Sequence, residues 1–106
     1  MPERIVFHQE AMAELHEAAL YYEAQASGLG TRFGDEVRIF LERILANPTR
    51  FAVRTGEVRR ANLKRFPYHL NYLIDGERIA VVAIAHDRRR PFYWRERLAQ
   101  RDWMEG

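Results

Sequence analysis

The sequence contains no cysteine. That excludes a disulfide framework, a thiolate nucleophile and any cysteine-ligated metal site. Long apolar runs are missing too: no stretch approaches the roughly 18 consecutive apolar residues of a membrane span. The start, Met1-Pro2-Glu3-Arg4, lacks the apolar segment of a signal peptide. A cytoplasmic bacterial protein with no membrane partner is therefore the natural expectation. No Gly-rich phosphate loop, nucleophile elbow or Ser-His-Asp arrangement stands in the chain. His8, His16 and His69 are scattered without metal-ligand spacing, so neither a metal nor a cofactor is expected. Lysine is almost absent, with Lys64 the single one among 17 basic residues. A GC-rich genome produces such an arginine bias without any functional cause, so the bias itself carries little weight.

What remains suits one small domain spanning residues 1–106. Apolar residues make up 47% of the chain, which is ample for one core and argues against disorder. The formal net charge of +2 conceals an asymmetry. Residues 1–53 hold five basic and eight acidic side chains, whereas residues 54–106 hold twelve basic and seven acidic ones. The basic second half points to an anionic partner where the whole-chain balance does not.

Along the chain, Arg4-Ile5-Val6-Phe7-His8 is β-prone and reads as a first strand. From Gln9 to about Ala26 the pattern is helical, with Met12, Leu15, Ala19, Tyr22 and Ala26 on one face. Glu10, Glu14 and Glu17 fall at helical intervals and read as a solvated face. His8-Gln9 stands where a Ser or Thr cap is favoured, which weakens the N-cap. Ser27-Gly28-Leu29-Gly30 breaks the helix, and a second runs from about Thr31 to Ala46. Its apolar face is Phe33, Val37, Phe40, Leu41 and Ile44, with Arg32, Asp35, Glu36, Arg38, Glu42 and Arg43 outward. Asn47-Pro48 ends it. So short a connection predicts an antiparallel helical hairpin.

The period then changes. Val58 to Arg65 reads as a basic strand, with Arg59, Ala61, Leu63 and Arg65 on one face and Arg60 and Lys64 on the other. Phe66-Pro67 breaks it. Tyr68 to Ile74 alternates, and Asp75-Gly76 signals a hairpin into Arg78–His86. That last run is apolar on both faces and belongs in the middle of the sheet. Arg95 to Met104 reads as a closing helical turn or helix, with Trp94 and Leu98 available for packing. The expected fold is α+β, in the order β-α-α-β-β-β, with the helical hairpin on one largely antiparallel four-stranded sheet.

The most informative segment leaves the end of the apolar strand: His86-Asp87-Arg88-Arg89-Arg90-Pro91-Phe92-Tyr93-Trp94-Arg95-Glu96-Arg97. Arginine offers planar donors that match phosphate or carboxylate oxygens, and Tyr or Trp offers a stacking face. Such a package fits an anionic partner better than it fits a core.

These residues and their order resemble the RelE/ParE superfamily of toxins from type II toxin–antitoxin systems. The resemblance rests on Arg59-Arg60 and Leu63, the string Arg65-Phe66-Pro67-Tyr68, and Tyr72. It continues through the strand ending in His86, then Arg89, Pro91, Tyr93-Trp94 and Arg97. The helical pattern Ala11…Glu14-Leu15…Ala18-Ala19…Tyr21-Tyr22, then Leu29-Gly30…Phe33…Glu36-Val37, is similar to this family as well. The ending at His86 is more like the ParE-annotated, plasmid-stabilisation branch.

The resemblance implies growth inhibition and a cognate antitoxin partner within a toxin–antitoxin hetero-oligomer. ParE-like members inhibit DNA gyrase, whereas RelE-like members cleave mRNA on the ribosome; a degenerate toxin that only binds its antitoxin is a third reading. Fold alone does not choose among them. If the chain is an mRNA interferase, His86 is the acid–base candidate and Arg65 the group for the scissile phosphate. The bland reading of His86 is a strand-end histidine that hydrogen-bonds nearby backbone or Asp87 and shapes the following loop. Partner or nucleic-acid contact falls to Arg59, Arg60, Lys64, Arg88, Arg89, Arg90 and Tyr93. Arg89 alternatively braces its loop, and Trp94 packs on the core. A lone histidine without a second acid or base leans toward gyrase inhibition.

Overall fold

The computed structural model describes residues 4–105, so the reading of Met1-Pro2-Glu3 lies outside the described residues. The chain runs β1 (Arg4–Phe7), α1 (Gln9–Gln25), α2 (Leu29–Ala46), β2 (Val53–Thr55), β3 (Val58–Asn62), β4 (Tyr68–Asp75) and β5 (Arg78–His86). Two 3-10 turns follow, Arg95–Leu98 and Asp102–Glu105. The strands form one mixed sheet in the order β1-β5-β4-β3-β2, in which β1 lies parallel to β5 and every other pair is antiparallel. The sheet has five strands rather than the expected four. The extra one, β2, is only three residues long and its Val53 is exposed, so no alternation marked it. It pairs with β3 across a turn at Gly56, whose φ of 54° suits glycine.

Local sequence explains the helices. The imidazole of His8 supplies the cap that seemed missing, since its Nδ1 accepts the N–H of Glu10 at 3.0 Å. On α1 the seam is Ala11, Leu15, Ala18 and Tyr22; it lies one residue back from the face that Met12 suggested, and Ala26 is exposed. Small alanines on that seam let α1 approach its neighbours closely. Between the helices Gly28 takes φ 87°, and the Glu23 carboxylate accepts the N–H groups of both Gly28 and Gly30. Gly30 is buried where a Cβ would lie 2.4 Å from the Ala19 carbonyl oxygen. Gly30→Ala is therefore expected to destabilise by about 1–3 kcal/mol, as overpacking of a rigid contact does. A urea titration checks it, and an unchanged midpoint would show that the helices separate freely.

The sheet carries apolar side chains on both faces. One face packs Ala61, Leu70, Tyr72, Ile79, Val81 and Ile84 under Phe33, Val37, Phe40 and Ile44 of α2. The other gathers Val6, Val58, Leu73, Ala80, Val82 and Ala83 under Trp94 and Met104 of the C-terminal segment. Strand β5 therefore lies inside the sheet and is buried on both sides, which is why it reads as a continuous apolar run. Its register with β4 shifts once: Asn71 pairs with Ala83, but Tyr72 pairs with Val81, leaving Val82 as the extra residue of a bulge. The bulge reverses the facing of everything after it. His86, paired with Tyr68, comes to the helical side, while Ala83 and Ala85 share the opposite side with Asn71 and His69.

Strand β3 ends at Asn62, three residues short of the expected Arg65. Glu36 is the cause. Expected to face outward, it is 9% exposed, and its carboxylate accepts the N–H groups of Lys64 and Arg65. Those two donors are drawn onto α2 and cannot enter a strand ladder, so Leu63–Pro67 turns instead.

Candidate functional site

The end of β5 and its following loop are built around one buried ion pair. Glu14, which helical spacing placed on a solvated face, instead has only 14% of its side chain exposed and Arg97 only 10%. Arg97 grips Glu14 with two donors, Nη1 to Oε1 at 3.0 Å and Nη2 to Oε2 at 2.8 Å. Arg97 Nη1 also donates to the Val82 carbonyl, and Glu14 Oε1 accepts the Ile84 N–H at 3.0 Å. The pair thereby satisfies the two β5 backbone groups that flank Ala83, directly after the bulge residue Val82. Tyr93 completes the cluster by donating its hydroxyl to Glu14 Oε2 at 2.7 Å. Burial, then the bond to Glu14, push the Tyr93 phenol well above its ordinary pKa. Burial alone would lower Arg97, but the bonds and charge of Glu14 outweigh it and hold its pKa above the usual value.

Around this anchor the candidate residues part company. His86 Nδ1 accepts the N–H of Arg88 at 3.0 Å, and its ring stands edge-on to Tyr68 with centroids 5.1 Å apart. It lines a cleft of about 230 Å³ with Glu14, Glu17, Tyr21, Tyr68 and Arg89. Arg65 is exposed and lines a different cleft, beside Arg32, Asp35, Glu36 and Arg43 of α2. The two clefts share no lining residue. Lys64 lines the α2 cleft with Arg65. Arg59 directs Nη1 to the carbonyls of Thr49 and Phe51, which ties down the chain between α2 and β2. The guanidinium of Arg89 stacks 3.7 Å from the centre of the Tyr93 ring, so it braces the loop. Arg88 and Arg90 are exposed and make no ion pair among the described residues.

A second group lies on the opposite face of the sheet. Arg60 donates from Nε to Asn62 at 2.9 Å and sits 3.8 Å from Asp87. Asp87 bonds His69 Nδ1 at 2.9 Å, and Asn71 is buried beside them. Arg54, Arg60 and Arg90 converge there from three separate parts of the chain. His69, Asn71, Asp87 and Arg54 were not among the sequence candidates. For His69 and Asn71 the only signal was polar residues alternating within β4, a pattern that also fits a plain solvated face, while Asp87 stood inside the segment after β5 without a role of its own and Arg54 carried no signal.

Burial lowers the pKa of His69 from 6.5, against the opposing bond from Asp87, and burial followed by the charge of Arg97 lowers that of His8. Both groups resist protonation when folded, so below about pH 6.5 the unfolded chain binds more protons. Stability is expected to be full above that pH and to fall as pH drops through it. His69→Gln should flatten the slope, as followed by melting temperature against pH. A slope unchanged by that substitution would remove His69 as a source.

Among the described residues no cluster of His, Cys, Asp or Glu is placed to hold a metal ion, and no helix is long and apolar enough to cross a membrane. No curated protein matches the chain by sequence. The family model of the "ParE toxin of type II toxin-antitoxin system, parDE" matches residues 5–91. The matched span stops before Tyr93 and Arg97. Among solved structures the chain is similar to one described as the "Chromosomal ParDE TA system from P. aeruginosa", with a TM-score of 0.58 and 18% identity. That likeness covers 78% of this chain and 94% of the other, and at such identity it concerns the fold alone. With most of its length matched by the family model, and with a fold to suit, the chain belongs to the ParE toxin family of type II toxin–antitoxin systems.

Proposed function

We propose that this toxin arrests growth by binding and inhibiting DNA gyrase rather than by cutting mRNA, and that a cognate antitoxin neutralises it. One observation carries the choice between mechanisms: His86 and Arg65 line separate clefts with no residue in common, and the arginine that does share the His86 cleft, Arg89, is stacked 3.7 Å from the centre of the Tyr93 ring. Cleavage by 2′-hydroxyl attack needs a proton-transfer group and a phosphate-binding cation at one scissile bond. In this chain Glu36 fixes the backbone at Lys64 and Arg65 on α2, while the bulge in β5 turns His86 toward α1. The imidazole nitrogen that bonds Arg88 N–H serves the loop's shape. What the loop offers outward is the pair Arg88 and Arg90, which suits recognition of an anionic surface.

Expression without the antitoxin, followed over time for plasmid topology and for mRNA ends, tests this reading. Growth arrest with loss of negative supercoiling and intact messages supports it, and co-expressed antitoxin should restore growth. Early site-specific cuts in messages would replace it with the ribonuclease reading. Unimpaired growth despite accumulation of folded protein would leave a chain that only binds its antitoxin.

A further inference from the structure

The open face of the sheet holds a cleft of about 160 Å³ whose floor neither mechanism uses, with only Arg90 of the loop's target-facing pair on its rim. Its floor is β4, where Asn71 is 3% exposed and its side-chain nitrogen Nδ2 is buried without any hydrogen-bond partner. Native proteins rarely leave such a donor unmatched, because an unmade buried bond carries the full cost of desolvation. Four arginines, Arg54, Arg60, Arg89 and Arg90, line the same cleft; Arg89 is stacked on Tyr93, and neither Arg54 nor Arg90 has an acidic partner among the described residues. The charge they bring exceeds the single carboxylate of Asp87. A buried orphan donor below a cationic rim is the complement of a small anion.

We propose that this cleft is an anchor site for a carboxylate, namely an aspartate or glutamate side chain presented by a protein partner. Asp87 displays the chemistry already: its carboxylate sits at the edge of the cleft, bonded to His69 and 3.8 Å from Arg60. A second carboxylate, entering deeper, would accept the Asn71 Nδ2–H and pair with Arg54 and Arg90. Size argues for a side-chain end rather than a nucleotide, since pockets for small organic ligands are typically about 300–1,000 Å³. The rim argues for a protein. Phe92, 39% exposed, stands there in the left-handed region at φ 60°, a conformation costly for an aromatic residue. It is thereby held outward next to the charges, as an apolar contact beside a polar anchor. The proposal does not depend on which macromolecule the toxin inhibits.

The test is an NMR titration of the folded chain, following the Asn71 side-chain amide and the Trp94 indole. The probes are acetyl-Gly-Glu-Gly-amide, its Gln counterpart and inorganic phosphate, all at constant ionic strength. The Glu peptide should shift the Asn71 amide to saturation, and the Gln peptide should bind about tenfold more weakly, as loss of a charge-assisted bond predicts. Asn71→Leu should abolish the shift of the Trp94 indole while leaving the melting temperature equal or higher, because it removes an orphan donor. Where that variant fails to fold, the surface variant Arg54→Gln/Arg90→Gln decides, with an expected loss of peptide binding. Phosphate saturating as well as the Glu peptide would overturn the assignment to a carboxylate. Shifts that only track added salt, or none at all, would leave a cleft filled by water and overturn the site.

Discussion

Glu14→Ala is expected to cost about 3–5 kcal/mol of stability, the range for breaking a buried ion pair from one side. Four bonds end on this carboxylate: two from Arg97, one from the Tyr93 hydroxyl and one from the Ile84 N–H. Its removal strands a guanidinium that is only 10% exposed and orphans a backbone donor beside the bulge. For a domain of this size such a loss lowers the melting temperature by roughly 15–30 °C. Removing both charges together, as in Glu14→Leu/Arg97→Met, should be milder than either single change, because no lone charge stays buried. Thermal denaturation of Glu14→Ala, Glu14→Leu, Arg97→Met and the double variant measures this. A Glu14→Ala protein within about 0.5 kcal/mol of the parent, as for an ordinary surface change, would return Glu14 to the solvated face that its spacing suggested.

The second large effect concerns the loop. Arg88→Glu/Arg90→Glu should weaken binding to the target by roughly tenfold or more, mostly through slower association that depends on salt. His86→Asn should change it little, since an asparagine oxygen can accept the Arg88 N–H in place of Nδ1 and keep the turn. A general acid or base would behave otherwise, for its loss typically costs ~10²–10⁴-fold in rate. Binding kinetics on immobilised gyrase separate the two. If His86→Asn, still folded, lost more than the double arginine variant, the imidazole would have a chemical role and the binding account would fail.

The division between what could and could not be read in advance follows sequence distance. Asp75-Gly76 announced the β4–β5 hairpin, and Phe33, Val37, Phe40 and Ile44 announced the buried side of α2, because turns and helical periods are local. Glu14 and Glu36 defeated the same logic. Each occupies a charged position at helical spacing, but the partner that draws it inward is far along the chain, Arg97 for one and the Lys64–Arg65 backbone for the other. The fate of the candidate site followed from those two acids. Glu36 ended β3 at Asn62 and took Arg65 to α2, while Glu14 and Arg97 secured the strand whose bulge turns His86 to α1. A one-residue bulge leaves no mark in an unbroken apolar run, so the facing of His86 could not be read from alternation. Asp87, His69, Asn71 and Arg60 meet only because β3, β4 and β5 lie side by side, a fact of topology rather than of spacing.

The most direct test of the gyrase account is a titration of the purified toxin into gyrase, relaxed plasmid and ATP, with a parallel reaction containing ribosomes and a defined mRNA. The account predicts that supercoiling falls with toxin concentration, that His86→Asn inhibits as well as the parent, and that the mRNA stays whole. Full supercoiling at every concentration, together with site-specific mRNA cuts that vanish in His86→Asn, would contradict it.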